Sequence, residues 1–201
     1  ATLRNARSEK KAFMFLIAFF FFIDGVYTII EMATAYGEAI GLDTTMLLVA
    51  LLVTQIVAFP CTIAFGRLAQ GRNIVRLLMV CIFAYACITI YASVMDNITQ
   101  FFVLAICVGV FQGGIQAMSR SYFSRIIPPE KSGEFFGLMD IFGKGASFMG
   151  TFMVSAMSQL TGSMSLGILS LVVLFIVGFL VLMVVARIPD PERHHCLEES
   201  A

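Results

Sequence analysis

Read for hydrophobic and polar positions, the chain is a series of long apolar runs separated by short polar gaps. The runs cover residues 12–36, 44–65, 74–94, 99–119, 134–159 and 164–186. Each is close to the roughly 20 helical residues needed to cross a hydrocarbon core about 30 Å thick. They are continuous rather than alternating, which excludes a transmembrane barrel. The pattern predicts six membrane-spanning helices.

Composition supports this. The 201 residues are 59% hydrophobic and 13% charged, with a mean hydropathy of +0.93. A soluble domain carries about 25% charged residues, so too little charge is present here to cover a water-facing surface. The fold expected is an all-α membrane bundle. A basic arm (1–11) leads into the bundle (12–187), and a polar tail (188–201) follows it. The surroundings are a lipid bilayer.

The basic residues then orient it. Arg4, Arg7, Lys10 and Lys11 precede the first run, and the connection "GEAIGLD" has none. Arg67, Arg72 and Arg76 mark the second connection, and "MDNI" has none. Arg120, Arg125 and Lys131 mark the fourth, "LTGS" has none, and Arg187 and Arg193 follow the last run. This alternation is the positive-inside pattern for six helices with both termini in the cytoplasm. No basic block suits nucleic acid. The five cysteines lack metal-ligand spacing, and neither a disulfide framework nor a metal or cofactor is expected. "ATA" at 33–35 mimics a signal-peptide cleavage site, but Glu31 and the length of the run argue against cleavage. The sequon Asn97-Ile98-Thr99 sits hard against the membrane and is expected to be unused.

Some polar residues lie inside the runs. Asp24, Glu31, Asp140 and Lys144 each cost about 2.5–3.5 kcal/mol at the bilayer centre on insertion scales, so such groups face a partner or a water-filled cavity. Asp24, Thr28 and Glu31, flanked by Tyr27, share one face of helix 1 at 3.6-residue spacing. Read as one continuous helix, helix 5 carries a stripe of Asp140, Lys144, Ser147, Thr151 and Ser158. Helix 4 adds Gln112 and Gln116 one turn apart, with Gly109, Gly113 and Gly114 permitting close backbone approach. Helix 2 adds Thr54 and Gln55. Helices 1, 2, 4 and 5 are therefore expected to face a shared interior, with 3 and 6 peripheral. At 1.5 Å per residue, Asp24 and Lys144 fall roughly 15–20 Å from the cytoplasmic side, near the midplane, with Glu31 further out. Asp24 and Glu31 have no adjacent cation, which makes them candidates for proton coupling. Lys144 is expected to pair with Asp140 in one state and with Asp24 or a substrate carboxylate in another. Two plainer readings stay open. Asp140 and Lys144 form a static i,i+4 pair, and the two glutamines are interhelical glue.

Two kinds of motif carry a resemblance. "FGRLAQGRNIVR" (65–76) resembles the Gly-x-Leu-Ala-Asp-x-x-Gly-Arg loop between helices 2 and 3 of each half of the major facilitator superfamily. Gln70 stands where that loop has its acid, a departure from the charge-relay gate the acid serves. "DGVYTIIEMATAYG", "QIVAFPCTIAFGRLA", "GVFQGGIQAMSRSYFSRIIPPEKSGEFFGLMDIFGKGAS" and "QLTGSMSLGILSL" are similar to the C-terminal half of the vacuole-effluxer-like branch. That branch includes the autophagy-related vacuolar amino-acid effluxer and bacterial relatives.

The resemblance implies helices 7 to 12 of a twelve-helix transporter. Such a half rocks against a second six-helix half, or a second copy, around a midplane site for a small molecule. It further implies amino acids as the substrate class, and a bacterial inner membrane or vacuolar-type membrane as the location. Gln55, Gln112, Gln116, Tyr27, Thr28, Asp140 and Lys144 are then candidates for substrate contact, with Asp24 and Glu31 for coupling. Gly66, Arg67, Arg72 and Arg120 are candidates for the cytoplasmic gate. The rival expectation is a non-transporting subunit that binds a partner membrane protein. Catalytic motifs such as H-E-x-x-H or G-x-S-x-G are missing, so an enzyme is not expected.

Overall fold

The structure is a computed structural model and describes residues 2–39, 41–71, 73–95 and 97–188, with no side-chain description at 2–8, 39, 71 and 129. The elements are α1 (Thr2–Ala39), α2 (Thr44–Gly71), α3 (Ile74–Ser93), α4 (Ile98–Ile126), a 3-10 turn (Pro129–Lys131), α5 (Ser132–Gly145), α6 (Phe148–Thr161), α7 (Met164–Ser170) and α8 (Val172–Arg187). No strand occurs among the described residues. The protein is an all-α, multi-pass membrane bundle.

Five segments are long and apolar enough to cross a membrane, the last of them α7 and α8 together. The predicted fifth span differs from expectation. It is two helices of 14 residues, each about 21 Å long and too short to cross alone. They meet at Ala146 and Ser147, where Ser147 has φ 80°. The predicted continuous stripe from Asp140 to Ser158 is therefore cut in two. The cause lies in the sequence "GKGAS" (143–147), whose glycines and short polar side chain weaken the helix where it would need to be strongest.

Two other predicted boundaries also move. α1 runs through the predicted arm boundary at 11/12 without a break, and at 38 residues is about 57 Å long. α2 and α4 run past their predicted ends to Gly71 and Ile126, so Gly66, Arg67 and Arg120 are helical rather than in connections. Pro60 sits inside α2.

Lipid is as apolar as a leucine side chain, so helices in a bilayer associate by close packing and hydrogen bonds rather than by burial from water. α2 packs chiefly on α4, α1 on α8, and α3 on α4, α7 and α8, while α6 packs on α7. The glycines of α4 explain the first pairing. A Cβ on Gly109 would lie 2.6 Å from the Thr54 carbonyl oxygen. Thr54 adds a hydroxyl donated to Ala50 O at 2.9 Å and Ala105 O at 3.2 Å. It is thus interhelical glue between α2 and α4.

α5 is held by aromatic rings. Phe135 lies 5.9 Å from Phe13 and 6.3 Å from Phe123, and Phe142 lies 5.8 Å from Phe20. At the same end, Lys11 is buried, donates to the Ile188 carbonyl at 2.6 Å and lies 5.9 Å from the centre of the Tyr122 ring. That bond ties the start of α1 to the end of α8. Lys131 reaches Glu9 at 2.7 Å and ties α1 to the turn before α5. The hydrogen bond to Glu9 holds the lysine above its usual range. A raised lysine keeps its contribution at lower pH and loses it as pH rises through its folded value, so on the lysine side this clasp stays closed at neutral pH.

Candidate functional site

The candidate site grows from the break in the fifth span. Among the described residues, a cavity of about 440 Å³ lies between α1, α4 and α5. Tyr27 and Glu31 line it from α1, Gln116 and Arg120 from α4, and Asp140, Lys144 and Ser147 from α5 and its end, with Phe19 and Met139 as apolar wall. Residues four apart share a helix face, and this sorts the polar stripe of α1 in two. Tyr27 and Glu31 turn to the cavity. Asp24 and Thr28, both fully buried, turn to α6.

Asp24 is bound to backbone. Its Oδ1 accepts from the Ser147 N–H in a short hydrogen bond and from the Gly150 N–H at 3.2 Å. Asp24 Oδ2 and Thr28 Oγ1 are buried with no hydrogen-bond partner among the described residues.

The expected Asp140–Lys144 pair is replaced by another. Asp140 takes Arg120 at 3.0 Å, with both side chains about half exposed. Lys144 forms no ion pair among the described residues. The cavity therefore holds one closed ion pair plus Glu31 and Lys144, two exposed groups of opposite charge.

The remaining predicted residues fall elsewhere. Gln116 lines the cavity but Gln112 does not, and Gln112 Oε1 is buried without a partner among the described residues. Gln55 is exposed on the outer face of α2. Gly66 and Arg67 are exposed near the end of α2, away from the cavity lining, whereas Arg120 is part of it. Arg72 lies outside the described residues. Ser147 and Gly150 are the residues that sequence reasoning missed as partners of Asp24. The cluster of small residues from Gly143 to Gly150 is the signal that could have found them.

A polar, charged cavity beside an interrupted helix in a membrane bundle marks a functional site rather than a purely structural span. The family described as "Vacuole effluxer Atg22 like" matches residues 1–188, and the chain belongs to that family. It is 44% identical over 181 residues to the uncharacterized MFS-type transporter YxiO of Bacillus subtilis, covering 90% of this chain and 42% of that one. It is 29% identical over 172 residues to Autophagy-related protein 22 of Saccharomyces cerevisiae, covering 80% of this chain and 33% of that one. The Kluyveromyces lactis protein of the same name is 27% identical over 172 residues, 80% of this chain and 35% of its own length. The chain thus spans between a third and just over two-fifths of these relatives.

Proposed function

We propose that this bundle is the moving half of a secondary transporter for small zwitterionic solutes, amino acids foremost, working by alternating access. The observation that carries the reading is the pair of open charges, Glu31 and Lys144, in one cavity whose other pair is closed. Glu31 suits an ammonium group and Lys144 a carboxylate. A volume of about 440 Å³ lies within the roughly 300–1,000 Å³ of small-molecule sites. Gln116 and Tyr27 supply neutral hydrogen-bonding groups, and Phe19 and Met139 an apolar wall for a side chain.

A second six-helix bundle closes the other side of the cavity. It is supplied by the rest of a longer chain or by a second copy. Relatives more than twice as long support this. So does Gln55, a polar side chain exposed on α2 between Leu52, Ile56 and Phe59, which suits a protein neighbour better than lipid. Proton coupling falls to Glu31, which is open to the cavity and faces Lys144, Arg120 and Asp140 there. The gate on the basic side of the membrane uses Gly66, Arg67 and Arg72, with both termini on that side.

The test is uptake into proteoliposomes by the native-length protein, with competitors that differ by one charge. A labelled neutral amino acid is displaced by other amino acids. It resists the matching amine without the carboxylate and the matching acid without the ammonium. Equal displacement by the amine or the acid would overturn the zwitterion reading. No uptake of any amino acid would overturn amino acids as the substrate class.

A further inference from the structure

The fifth span has two ways to satisfy its backbone. In a continuous helix, the N–H of Ser147 would bond to the carbonyl of Gly143, and that of Gly150 to the carbonyl of Ala146, by the i to i−4 rule. In the structure those same two amides are taken by one carboxylate from another helix, Asp24. Ser147 stands at the N-cap of α6, and its own side chain makes no capping bond. Gly150 is the third residue of that helix, the one whose amide an N-cap side chain normally receives. Asp24 therefore does from α1 what a local Ser or Asp does elsewhere. Its charge also faces the positive end of the α6 dipole.

The fit is built into both partners. A Cβ at position 150 would lie 2.1 Å from Thr28 Oγ1, so the first turn of α6 reaches α1 because that residue is glycine. Lys144 lies in the last turn of α5, three residues before the capped amide. Joining α5 to α6 as one helix would rotate Lys144 relative to the α6 face now packed on α1.

We propose that Asp24 is a positioning residue: by capping α6 from α1 it holds the fifth span broken and so keeps Lys144 in the cavity. The proposal rests on the transport reading only for its functional consequence. It differs from proton carriage by Asp24, in which Oδ2, buried without a partner among the described residues, would matter most.

The two roles separate on substitution. Asn is as good a cap as Asp and keeps an oxygen for both amides, but it cannot carry a proton. Asp24→Leu keeps most of the volume and removes the acceptor. Hydrogen exchange of peptides across 142–152 in nanodiscs reads the cap directly. The expected result is exchange at Ser147 and Gly150 faster by about tenfold or more in Asp24→Leu, and within about twofold of wild type in Asp24→Asn. Gly150→Ala, which pushes α6 off Thr28 and leaves the carboxylate in place, reproduces the Leu result.

In uptake, Asp24→Leu raises the half-saturating concentration about tenfold, and Asp24→Asn restores it with an unchanged pH profile. Unchanged exchange in Asp24→Leu overturns the cap. Uptake in Asp24→Asn as poor as in Asp24→Leu overturns the positioning role in favour of proton carriage. If the wild-type protein moves no substrate, the exchange result still decides the cap, and the transport reading alone fails.

Discussion

Lys144→Met raises the substrate concentration for half-maximal uptake about 10–100-fold while leaving the fold intact. The size follows from losing a hydrogen bond to a charged group, about 1.5–3 kcal/mol, in a cavity that no other free cation lines among the described residues. Arg120 shares the cavity, but its guanidinium is engaged with Asp140. The fold should not respond, because Lys144 is exposed and forms no ion pair among the described residues. Lys144→Arg keeps the charge and recovers part of the affinity. Glu31→Gln is the complementary change, and it should weaken discrimination in favour of the ammonium group. Concentration-dependent uptake with a thermal-unfolding control reads all three. A Lys144→Met protein with wild-type half-saturation would remove Lys144 from the site.

The largest stability effect is expected at Gly109. Valine there sets a Cβ against the backbone oxygen of Thr54, 2.6 Å away, and 3.2 Å from the Val57 Cβ. Neither neighbour is the free end of a flexible chain, so α2 and α4 must separate. The Thr54 hydroxyl bond to Ala105 O lengthens with them. Overpacking costs typically 1–3 kcal/mol, and about 3 kcal/mol or more is expected where backbone is the obstacle. Gly137→Ala is the contrast. Nothing lies within 4 Å of its added Cβ, so that change should be neutral or stabilising by about 1 kcal/mol through helix propensity. Detergent-solubilised melting temperatures read both. Equal melting of Gly109→Val and wild type would mean that α2 and α4 do not meet as closely as described.

How far the sequence carried this picture depends on the kind of signal. Spans 1 to 4 and 6 were legible because each must bury its own backbone hydrogen bonds in lipid, which leaves helix as the sole choice for a long apolar run. The helix ends were less so. Arg67 and Arg120 were read as loop residues because charge marks the membrane edge, yet α2 and α4 continue past that edge as helices.

The site was half legible. Polar residues of helices 1, 4 and 5 were expected to face a shared interior, and Tyr27, Glu31, Gln116, Asp140 and Lys144 line one cavity. Their partners were not legible. Spacing along one helix made Lys144 the natural mate of Asp140, and only the packing of α4 brought Arg120 there first. Positions 24, 28 and 31 looked like one stripe because a 3.6-residue period does not separate neighbours across 50–60° of arc. Packing against α6 on one side and the cavity on the other divided them. The break at Ser147 was hidden because hydrophobicity continues across it, and the two amides that make it possible are satisfied by a residue 123 and 126 positions away.

The solute is expected to sit in the cavity between α1, α4 and α5. Gly143→Cys reports on it most directly. Residue 143 lines the cavity, and the nearest neighbour of an added Cβ is Phe19 at 3.7 Å, so a thiol fits. With native cysteines replaced by alanine, a hydrophilic maleimide should label Cys at this position, and amino acids should slow that labelling in proportion to their potency in uptake. Labelling that is fast and indifferent to every amino acid would place the solute elsewhere.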